Sequence, residues 1–587
     1  MMLRSRFQVI AVLSLVLLGS LPPTAATAAT AATAATAAAT RPNVVLIMTD
    51  DQGYGDLACH GNKILKTPAL DRLHGQSVRL TNYHVDPTCS PTRSALLTGR
   101  YSTRTGVWHT IMGRSMMHTD EVTLAEVFAA GNYRTGCFGK WHLGDNYPSR
   151  PQDTGFGEVL VHGGGGVGQT PDFFGNDYFD DTYWHNGKPV KQTGYCTDVF
   201  FDAALKFIKS SGKKPFFCYI PTNAAHGPFL VDKKYSGPYK QAGVPSPRAE
   251  FYGMITNIDD NVARLRKRLT EWGLARNTLL IFTTDNGTAA GNRGKNGFNA
   301  GLRGTKGSEF DGGHRVPCFW YWPAGGLTGG RDVRQVTAHV DMLPTLAELC
   351  GLKVPRDRKI DGTSLVPLLS EKKTAWPDRT LFVHSQRLEF PKKGRKYAVM
   401  TDRWRLVNGK QLFDMSVDDG QKKNVAANHP EVLARLGKAY DGWWTSIGER
   451  FDDYVRISLG HRAENPALLT CHDWHTSNKP VPWNHGHIRR KLMANGFWAV
   501  TVTRAGDYRI TLRTRPPGMD HPLDAVKAEV RVGQNVKVQQ PVTADATSTT
   551  FQVKLKAGPT RLQTVLTNAR GQSRGAYYVQ VEALDSP

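Results

Sequence analysis

The spacing of apolar and polar positions changes twice along this chain of 587 residues, and the part from residue 42 to about 370 combines two patterns. Continuous apolar runs, typical of strands buried on both faces, lie at 43–49, 216–221 and 279–284. Amphipathic stretches with helical spacing lie at 67–76, 250–273 and 340–349. This alternation predicts an α/β region over residues 41–374, with a large mixed sheet between helices.

From about residue 375 the pattern changes to short strand-like segments. Such segments occur at 381–384, 397–401 and 404–408, ahead of a helical pattern at 430–447. They predict a smaller α+β subdomain over 375–460 with an antiparallel sheet. Alternating segments farther along predict an appended β-sandwich over 465–587, and they lie at 498–503, 507–512, 551–555 and 577–581. Three tryptophans of this tail either pack in its core or form a surface on which sugars stack: Trp474, Trp483 and Trp498.

The first 40 residues have the layout of an export signal. Arg4 and Arg6 precede an apolar run at 7–21, and the small residues after this run suit cleavage. We therefore predict a signal peptide over 1–28 and an Ala/Thr-rich spacer over 29–40, with an uncleaved membrane anchor as the alternative. Because no other apolar stretch of the sequence reaches membrane length, we expect a secreted or periplasmic protein without stable membrane insertion.

The formal net charge is +23, from 74 basic and 51 acidic residues. Such a balance attracts polyanions over long range. Basic runs lie at 264–268 and 392–396, but the sequence carries no helix-turn-helix, zinc-finger or RNA-binding signature. We therefore expect no nucleic acid partner, and a sulfated polysaccharide substrate would account for the charge.

Eight cysteines are present, none in a CxxC pair or at metal-ligand spacing. Cys137, Cys218 and Cys318 lie in apolar, strand-like segments, where a buried free thiol is the expected form. Export would permit some of the other cysteines to pair, and the sequence leaves that open.

Acidic side chains follow two of the predicted buried strands. Asp50 and Asp51 come directly after the first, and Asp285 with Asn286 comes directly after the third. In an open α/β sheet, functional groups collect past the carboxyl ends of the strands. Each motif alone is typical of a loop or a turn. Two acidic ends on one sheet indicate a shared hard cation such as Ca²⁺ or Mg²⁺, because these ions prefer oxygen ligands.

The most distinctive motif is the run CSPTRSALLTGR, which opens at Cys89, includes Arg93 and ends at Arg100. A GKWHLG segment follows it and carries Lys140 and His142. Two positions apart on an extended segment, these two side chains are expected to point the same way. A lone KWH segment would be uninformative, so its weight comes from its place after the cysteine motif.

Two more segments complete the set. His226 precedes Gly-Pro at the exit of the second buried strand, and Lys306 lies in an LRGTK segment that is followed by DGGHRVP. Together these motifs closely resemble the signatures of the type I, formylglycine-dependent sulfatases, the arylsulfatase-like members of the alkaline-phosphatase superfamily. The resemblance covers about residues 41–455 and includes the run LFDMSVDDG, which is typical of the C-terminal subdomain of that family.

The resemblance implies the alkaline-phosphatase-like α/β fold and a nucleophile that the gene does not encode directly. In this family a maturation partner, the formylglycine-generating enzyme, oxidises the cysteine at the position of Cys89 to an aldehyde, and the hydrate of that aldehyde attacks the sulfate ester. The family also binds one Ca²⁺ per active site, and the implied ligands are Asp50, Asp51, the group at Cys89, Asp285 and Asn286.

The resemblance also implies roles for the cationic and histidine side chains. Arg93, Lys140 and Lys306 would stabilise the charge that builds up as the S–O bond breaks. His226, with Lys306, would protonate the departing alcohol. His142 would take the proton from the second hydroxyl of the hydrate, so that the aldehyde re-forms and sulfate is expelled.

One segment departs from the family pattern. Many sulfatases carry a further polar substrate contact after the KWHLG motif, and this chain has His162 followed by the glycine run 163–166. We assign His162 to the substrate pocket, together with Lys140, His226 and Lys306. The glycine run is either a flexible lid or an ordinary loop.

These inferences predict a secreted, Ca²⁺-dependent sulfatase that acts on sulfated carbohydrates or aryl sulfates. A phosphonate or phosphate ester hydrolase is the first alternative, because that chemistry shares the fold, the metal site and the modified cysteine. A catalytically silent carbohydrate-binding protein is the second. The intact set of catalytic side chains speaks against it, since a silent site need not keep all of them.

Overall fold

The computed structural model describes residues 41–294, 297–355, 358–370, 376–476 and 481–584. The signal peptide and the spacer predicted over 1–28 and 29–40 lie outside the described residues. Within the described ranges, no helix is long and apolar enough to cross a membrane.

The first region alternates strands and helices, as the apolar pattern predicts. Its strands are β1 Asn43–Thr49, β2 Val78–Leu80, β3 Tyr83–His84, β4 Arg134–Lys140, β5 Glu158–His162, β6 Thr182–His185, β7 Lys188–Lys191, β8 Phe216–Pro221, β9 Thr278–Thr284, β10 Cys318–Tyr321, β11 Asp332–Val333 and β12 Thr337–Ala338. Its helices are α1 Pro68–Gln76, α2 Cys89–Thr98, α3 Leu124–Ala130, α4 Cys196–Ser210, α5 Lys233–Gln241, α6 Arg248–Glu271, α7 Asp311–His314, α8 Met342–Leu349 and α9 Val366–Leu369.

Ten of these strands form one mixed sheet in the order β11-β2-β10-β9-β1-β8-β4-β5-β6-β7, and β3 pairs with β12 separately. Strands β9, β1, β8, β4 and β5 are parallel neighbours, whereas β10 and β6 run antiparallel to β9 and β5. The carboxyl ends of the parallel strands therefore meet at one edge of the sheet, which is where an open α/β sheet carries its functional groups.

The sheet is covered on both faces, and β1 shows how the sequence specifies this. Successive side chains of a strand point to opposite faces. Val45 and Ile47 pack in the core that includes α4 and α6, whereas Val44, Leu46 and Met48 pack in the core that includes α3 and α8. A continuous apolar run is needed because neither face of this strand meets water.

Two helix boundaries differ from the prediction for local reasons. Helix α6 runs from Arg248 to Glu271 rather than over 250–273, and Gly273 past its end takes the left-handed conformation with a φ of 68° that commonly follows a helix C-terminus. The helix predicted at 340–349 begins at Met342, because residues His339–Asp341 form a 3₁₀ turn instead.

The second region is a four-stranded antiparallel sheet with one helix. The strands β13 Leu381–His384, β14 Tyr397–Met400, β15 Trp404–Val407 and β16 Gln411–Asp414 pair in chain order. Helix α10 Pro430–Ile447 packs on them through Leu436 and Tyr440. The antiparallel sheet expected here is confirmed.

The third region has two more sheets. Its strands are β17 Ile457–Leu459, β18 Ala467–Thr470, β19 Phe497–Val502, β20 Gly506–Arg513, β21 Lys527–Val532, β22 Val536–Pro541, β23 Ser548–Leu555, β24 Gly558–Thr567, β25 Ser573–Arg574 and β26 Tyr578–Ala583, with one short helix, α11 His485–Arg489. One sheet has the order β17-β19-β24-β21-β22 with β25 beside β24, and the other has the order β18-β26-β20-β23. We call residues 457–584 the C-terminal β module; its first strand begins before the predicted start at 465.

The tryptophans of this module pack inside it. Trp474 and Trp498 are completely buried in its core, with their ring centroids 5.6 Å apart, and Trp483 is partly buried against the same core. Core packing, rather than a sugar-stacking surface, is therefore the role of Trp474 and Trp498.

All eight cysteines lie in described ranges and all are free thiols. Cys137, Cys218 and Cys318 are buried in strands β4, β8 and β10, as predicted. The possibility of disulfides among the other cysteines is therefore not realised in this structure.

Gly139 in β4 carries a strong packing constraint that a substitution can test. Its φ is +132°, and a Cβ there would lie 1.9 Å from the carbonyl oxygen of Pro221 in the neighbouring segment. Gly139→Ala is expected to lower the free energy of unfolding by roughly 2–4 kcal/mol, because it combines backbone strain with overpacking.

Thermal or denaturant unfolding measures this loss. Gly442→Ala is the matched control, since Gly442 lies in helix α10 with open space around its Cα and should gain stability from the better helix former. Equal melting temperatures for Gly139→Ala and the unsubstituted protein would contradict the close approach of the two strands.

Candidate active site

The predicted acidic residues meet at the carboxyl edge of the sheet. Strands β1 and β9 are parallel neighbours with Thr49 opposite Thr284, so the residues that follow each strand lie side by side. The backbone N–H of Asp51 donates to Oδ1 of Asp285 at 3.1 Å, and Nδ2 of Asn286 donates to Oδ1 of Asp51 at 2.8 Å. The expectation that these residues lie together is confirmed by this geometry.

Cys89 enters the same cluster from helix α2. It is the first residue of that helix, it is buried, and its Sγ donates to Oδ1 of Asp50 at 3.5 Å. Burial, with Asp285 and Asp50 adding to it, raises the pKa of the Cys89 thiol to about 12. Since a thiolate is the reactive form of cysteine, the encoded thiol is a poor nucleophile at neutral pH.

Each of the three carboxylates is paired with a cationic side chain. Arg93 donates to Oδ2 of Asp285 through Nε at 3.1 Å and Nη2 at 2.7 Å. Nζ of Lys140 lies 2.5 Å from Oδ2 of Asp50, and Nζ of Lys306 lies 2.6 Å from Oδ1 of Asp51. The structure therefore brings together the three cations and the three carboxylates that the sequence singles out.

Burial and pairing shift the acidities of these groups in opposite directions. Burial raises the pKa of Asp50 to about 8, with Asp285 adding to the rise and Lys140 opposing it. Burial also opposes ionisation of Asp51 and Asp285, but the surrounding cations and hydrogen bonds together outweigh it and hold both pKa values below the ordinary range. The largest of these contributions is Lys306 for Asp51 and Arg93 for Asp285. Burial disfavours the charged form of Lys306, yet the acidic groups around it, with Asp51 the largest contributor, together outweigh burial and raise the Lys306 pKa.

The exposure of the cations shows from which side the cluster opens. The side chains of Arg93 and Lys140 are 0% exposed, whereas that of Lys306 is 19% exposed. The side chain of His226, which follows β8, is 17% exposed, and its Nε2 lies 3.9 Å from Oδ2 of Asp51. Lys306 and His226 therefore face the accessible side, and Arg93 and Lys140 line the closed side.

His142 corrects one local expectation. It follows β4 with a φ of +64°, so the segment carrying Lys140 and His142 is not extended at His142. Nε2 of His142 bonds to the carbonyl oxygen of Thr110 at 2.8 Å. Because a carbonyl only accepts, Nε2 carries the hydrogen and Nδ1 carries the lone pair. Burial, followed by Lys140, lowers the His142 pKa far below its ordinary value, so the imidazole is neutral.

His226 has the opposite tautomer. Its Nδ1 lies 2.6 Å from the carbonyl oxygen of Gly227 and therefore carries the hydrogen, which leaves the lone pair on Nε2. Burial, followed by the charge on Lys306, lowers the His226 pKa to about 3. Without substrate, Lys306 is thus the proton-bearing group on the accessible side.

A family model described as Sulfatase matches residues 42–352, more than half of the chain, and a model described as N-sulphoglucosamine sulphohydrolase, C-terminal, matches residues 306–438. The chain belongs to the sulfatase family. Arylsulfatase A of Homo sapiens is 31% identical over 499 residues, which cover 74% of this chain and 93% of that one. N-acetylgalactosamine-6-sulfatase of Homo sapiens is 31% identical over 373 residues, covering 58% and 68%.

A solved structure gives the same result for the fold. The crystal structure of Ps i-CgsB in complex with k-i-k-neocarrahexaose superimposes with a TM-score of 0.63 at 28% identity, covering 70% of this chain and 94% of that one. The predicted alkaline-phosphatase-like sulfatase fold is confirmed. Membership of this family supports sulfate ester hydrolysis as the reaction of the chain.

In this sulfatase the donor atoms of the acidic cluster suit a hard cation. Ligand atoms of Asp50, Asp51, Cys89 and Asp285 all lie within 4.8 Å of one another. Oδ1 of Asn286 is buried and has no hydrogen-bond partner among the described residues. Three carboxylates and an unpaired amide oxygen are the ligand types that Ca²⁺ prefers.

Two other clusters of potential metal ligands fit less well. Cys59, His60 and His74 offer sulfur and nitrogen rather than oxygen. His84, Asp311 and His314 form a buried set, but Nη2 of Arg405 lies 3.0 Å from Nε2 of His84, and its guanidinium opposes a bound cation. Among the clusters that the described residues form, the one at the carboxyl edge of the sheet is the best site for Ca²⁺.

His162 lies beside the cluster rather than in it. It ends β5 opposite Lys140 on β4, its Nδ1 bonds to the carbonyl oxygen of Gly163 at 2.9 Å, and its ring packs 6.2 Å from that of Phe200. Its Nε2 is buried without a partner in the described part of the chain. No hydrogen bond among the described residues connects His162 to the other predicted site residues.

The glycine run 163–166 packs directly against His142 and His226, the two histidines predicted to be catalytic. A Cβ on Gly165 would lie 2.2 Å from Cε1 of His142, and one on Gly166 would lie 3.3 Å from Nδ1 of His226. The Gly164 N–H donates to Asp145 at 2.8 Å and the Gly165 N–H to Gln169 at 2.9 Å. Of the two interpretations of this run, the structure favours a tightly held loop, in which glycine permits close approach to the imidazoles.

The segment 471–475 of the C-terminal β module also reaches the surroundings of His142, and the sequence does not predict this. The N–H of Met112 donates to the carbonyl oxygen of His472 at 2.8 Å, and the ring of His472 lies 6.3 Å from that of His142. The only signal in the sequence is the run HDWH, which places two histidines and an aspartate in a tail otherwise patterned as strands. Its spatial neighbours lie more than 300 residues earlier, so spacing alone does not reveal the contact.

Proposed function

We propose that this sulfatase uses a formylglycine made from Cys89 and a bound Ca²⁺ to hydrolyse sulfate monoesters. The observation that carries the proposal is the position of Cys89, which lies 3.5 Å from Asp50 and is surrounded by carboxylates paired with Arg93, Lys140 and Lys306. The raised pKa of the Cys89 thiol makes the encoded group a poor nucleophile here, so the mechanism assigns that role to the formylglycine hydrate.

Asp50, Asp51, Asp285 and Asn286 would hold the Ca²⁺, with an oxygen of the modified residue 89 as a further ligand. When bound, the cation supplies positive charge next to the nucleophile and lowers the cost of ionising it. Lys140 and Arg93 keep their partners Asp50 and Asp285 in place from the closed side of the cluster.

The accessible side suits the tetrahedral anionic head of a sulfate ester. Lys306 and His226 are the partly exposed members of the site and would contact the sulfate oxygens and the bridging oxygen. An anion placed there adds negative charge beside both groups, which favours the protonated form of His226 and so makes a proton available for the departing alcohol. We assign that donation to His226 together with Lys306.

His142 serves a later proton transfer. Its lone pair is on Nδ1, and that atom is buried without a hydrogen-bond partner among the described residues. It is therefore free to accept the proton that residue 89 must lose before sulfate can leave. In this proposal the site has a proton-donating pair, His226 and Lys306, on the accessible side and a proton acceptor, His142, beside Gly165.

We further propose a sulfated carbohydrate or aryl sulfate as the substrate class. Relatives of the chain include N-acetylgalactosamine-6-sulfatase and arylsulfatase A, and the net charge of +23 suits an anionic polymer. The formylglycine-generating enzyme would be the maturation partner, and the predicted signal peptide points to a secreted or periplasmic location. The division into residues 41–374, 375–460 and 465–587 remains our proposal for the domain boundaries.

The proposal is tested with paired aryl sulfate and aryl phosphate esters, using protein produced in a host that makes formylglycine. We expect turnover of the sulfate ester, with a higher kcat/KM than for the phosphate ester, and dependence on Ca²⁺. Intact mass and peptide mapping should show the aldehyde or its hydrate at position 89.

Faster hydrolysis of the phosphate ester would replace the proposal with a phosphate or phosphonate ester hydrolase. Lack of turnover of aryl and carbohydrate sulfates by fully converted protein would favour the silent carbohydrate-binding alternative.

A further inference from the structure

The C-terminal β module contacts the loop 109–114, which forms a hydrogen bond with the imidazole of His142. The N–H of Met112 in this loop donates to the carbonyl oxygen of His472 at 2.8 Å. A Cβ on the next residue, Gly113, would lie 2.4 Å from Nε2 of His475, so the backbone of the loop and the His475 ring are in close contact. His475 itself is fixed to the module by backbone hydrogen bonds to Phe497, at 2.8 and 3.2 Å.

The loop 109–114 determines the tautomer and the orientation of the His142 ring. The carbonyl oxygen of Thr110, two residues before Met112, accepts the hydrogen bond from Nε2 of His142 at 2.8 Å. Nδ1 of His109 accepts from the N–H groups of Thr110 and Ile111 at 2.7 and 3.2 Å, which fixes the turn. A shift of this turn would therefore move the partner that keeps the lone pair of His142 on Nδ1.

The second loop against His142 is held by the same module. Gly165 packs on the imidazole, and the segment after it is anchored at three points. The N–H of Thr170 donates to the carbonyl oxygen of Trp483 at 3.0 Å, and the hydroxyl of Tyr578 donates to the carbonyl oxygen of Thr170 at 3.2 Å. The N–H of His485 donates to the carbonyl oxygen of Gly168 at 3.0 Å.

The side chains of His472 and His475 complete this arrangement. Nδ1 of His472 lies 3.0 Å from Oδ1 of Asp473, and its ring is buried 6.3 Å from the ring of His142. Nδ1 of His475 lies 3.0 Å from Oε1 of Glu389, and the same carboxylate oxygen accepts from Nη2 of Arg114 at 3.3 Å. The two rings thus fill the space behind the 109–114 loop from the side of the module.

We propose that the C-terminal β module is an integral part of the catalytic pocket and that His472 and His475 are positioning residues for His142. This inference rests on the role given to His142 in the proposed function. Both loops that contact the imidazole are anchored on the module, so the module determines where the lone pair of Nδ1 points. It is therefore not a tethered accessory that could be removed without effect on the chemistry.

The inference makes a specific kinetic prediction. In the proposed mechanism His142 acts after the S–O bond has broken. Its displacement therefore slows a step that affects kcat but not kcat/KM. His472→Ala and His475→Ala are each expected to lower kcat by roughly 10–100-fold, the usual effect of removing an orienting partner, with KM falling in parallel. His472→Asn and His475→Asn, which place an amide nitrogen near the position of Nδ1 and can keep the hydrogen bonds to Asp473 and Glu389, should recover part of kcat.

A second readout does not depend on turnover. Hydrogen exchange of the full chain, followed by mass spectrometry, should show faster exchange over 109–114 in the alanine variants and unchanged exchange in the strands of the main sheet. His521→Ala is the matched control, since His521 is a partly exposed histidine of the same module that lies far along the chain from 471–475.

The outcomes separate the inference from the proposed function. An unchanged kcat together with unchanged exchange over 109–114 in both alanine variants would overturn the inference, as would a fall in kcat/KM equal to that in kcat. If the unsubstituted protein hydrolyses no sulfate ester, the proposed function fails. Hydrogen exchange over 109–114 that is slow in the unsubstituted protein and faster in the alanine variants would then still support the contact between the module and this loop.

Discussion

Replacement of Cys89 by alanine is expected to lower the rate of sulfate ester hydrolysis by roughly 10⁴–10⁶-fold, the scale on which removal of a nucleophile acts. The physical reason is that Sγ of Cys89 lies 3.5 Å from Oδ1 of Asp50, inside the cluster where the proposed nucleophile must lie. Because Cys89 is small and buried at the start of α2, its loss should leave the fold intact. The rate with an aryl sulfate and the thermal midpoint measure the two effects.

Two further variants sharpen this test. Cys218→Ala removes an equally buried free thiol from strand β8, away from the cluster, and should retain the rate. Cys89→Ser supplies a single hydroxyl, which can take up sulfate but has no second hydroxyl for its release, so we expect at most one turnover per molecule. Continued turnover by Cys89→Ala would remove residue 89 from the mechanism.

The sequence predicts the members of this cluster because they follow rules of local patterning. The apolar run of β1 ends directly before Asp50 and Asp51, and the run of β9 ends before Asp285, so parallel pairing brings them together. The motif around Cys89 and Arg93 identifies the family, and the family supplies the roles. Site residues that lie at strand ends or in short motifs can therefore be predicted from the sequence alone.

Other features of the site depend on contacts between distant segments, and the sequence does not predict them. His142 takes a φ of +64° and turns toward Thr110, which ordinary alternation along a strand does not indicate. His162 has a side chain of a type suited to substrate binding, but its ring packs against Phe200 of helix α4. The contact between His472 and the loop at Met112 spans 360 positions of chain, and only packing reveals it.

The charge balance of the site leads to a second prediction with a large effect, the consequence of removing divalent metal. Three acidic side chains lie close together, and burial, with repulsion from Asp285 and Asp51, raises the pKa of Asp50 to about 8 despite the opposing charges of Lys140 and Arg93. A bound Ca²⁺ would offset that repulsion. We therefore expect a chelator to abolish sulfate hydrolysis and to lower the melting temperature, and added Ca²⁺ to restore both.

The size of the stability effect follows from linkage. A cation present at about 1,000 times its Kd contributes about 4 kcal/mol to the free energy of unfolding, so its removal should be visible by calorimetry even without substrate. Asp51→Asn should weaken this response, because it removes a carboxylate that faces both Lys306 and Asn286. Asp56→Asn is the matched control: Asp56 is a buried acid in the same loop that accepts from the N–H of Gly53, and an amide oxygen can replace that acceptor. A chelated protein that keeps its melting temperature and its activity would show that the three carboxylates are balanced by Arg93, Lys140 and Lys306 alone, and that the site needs no metal.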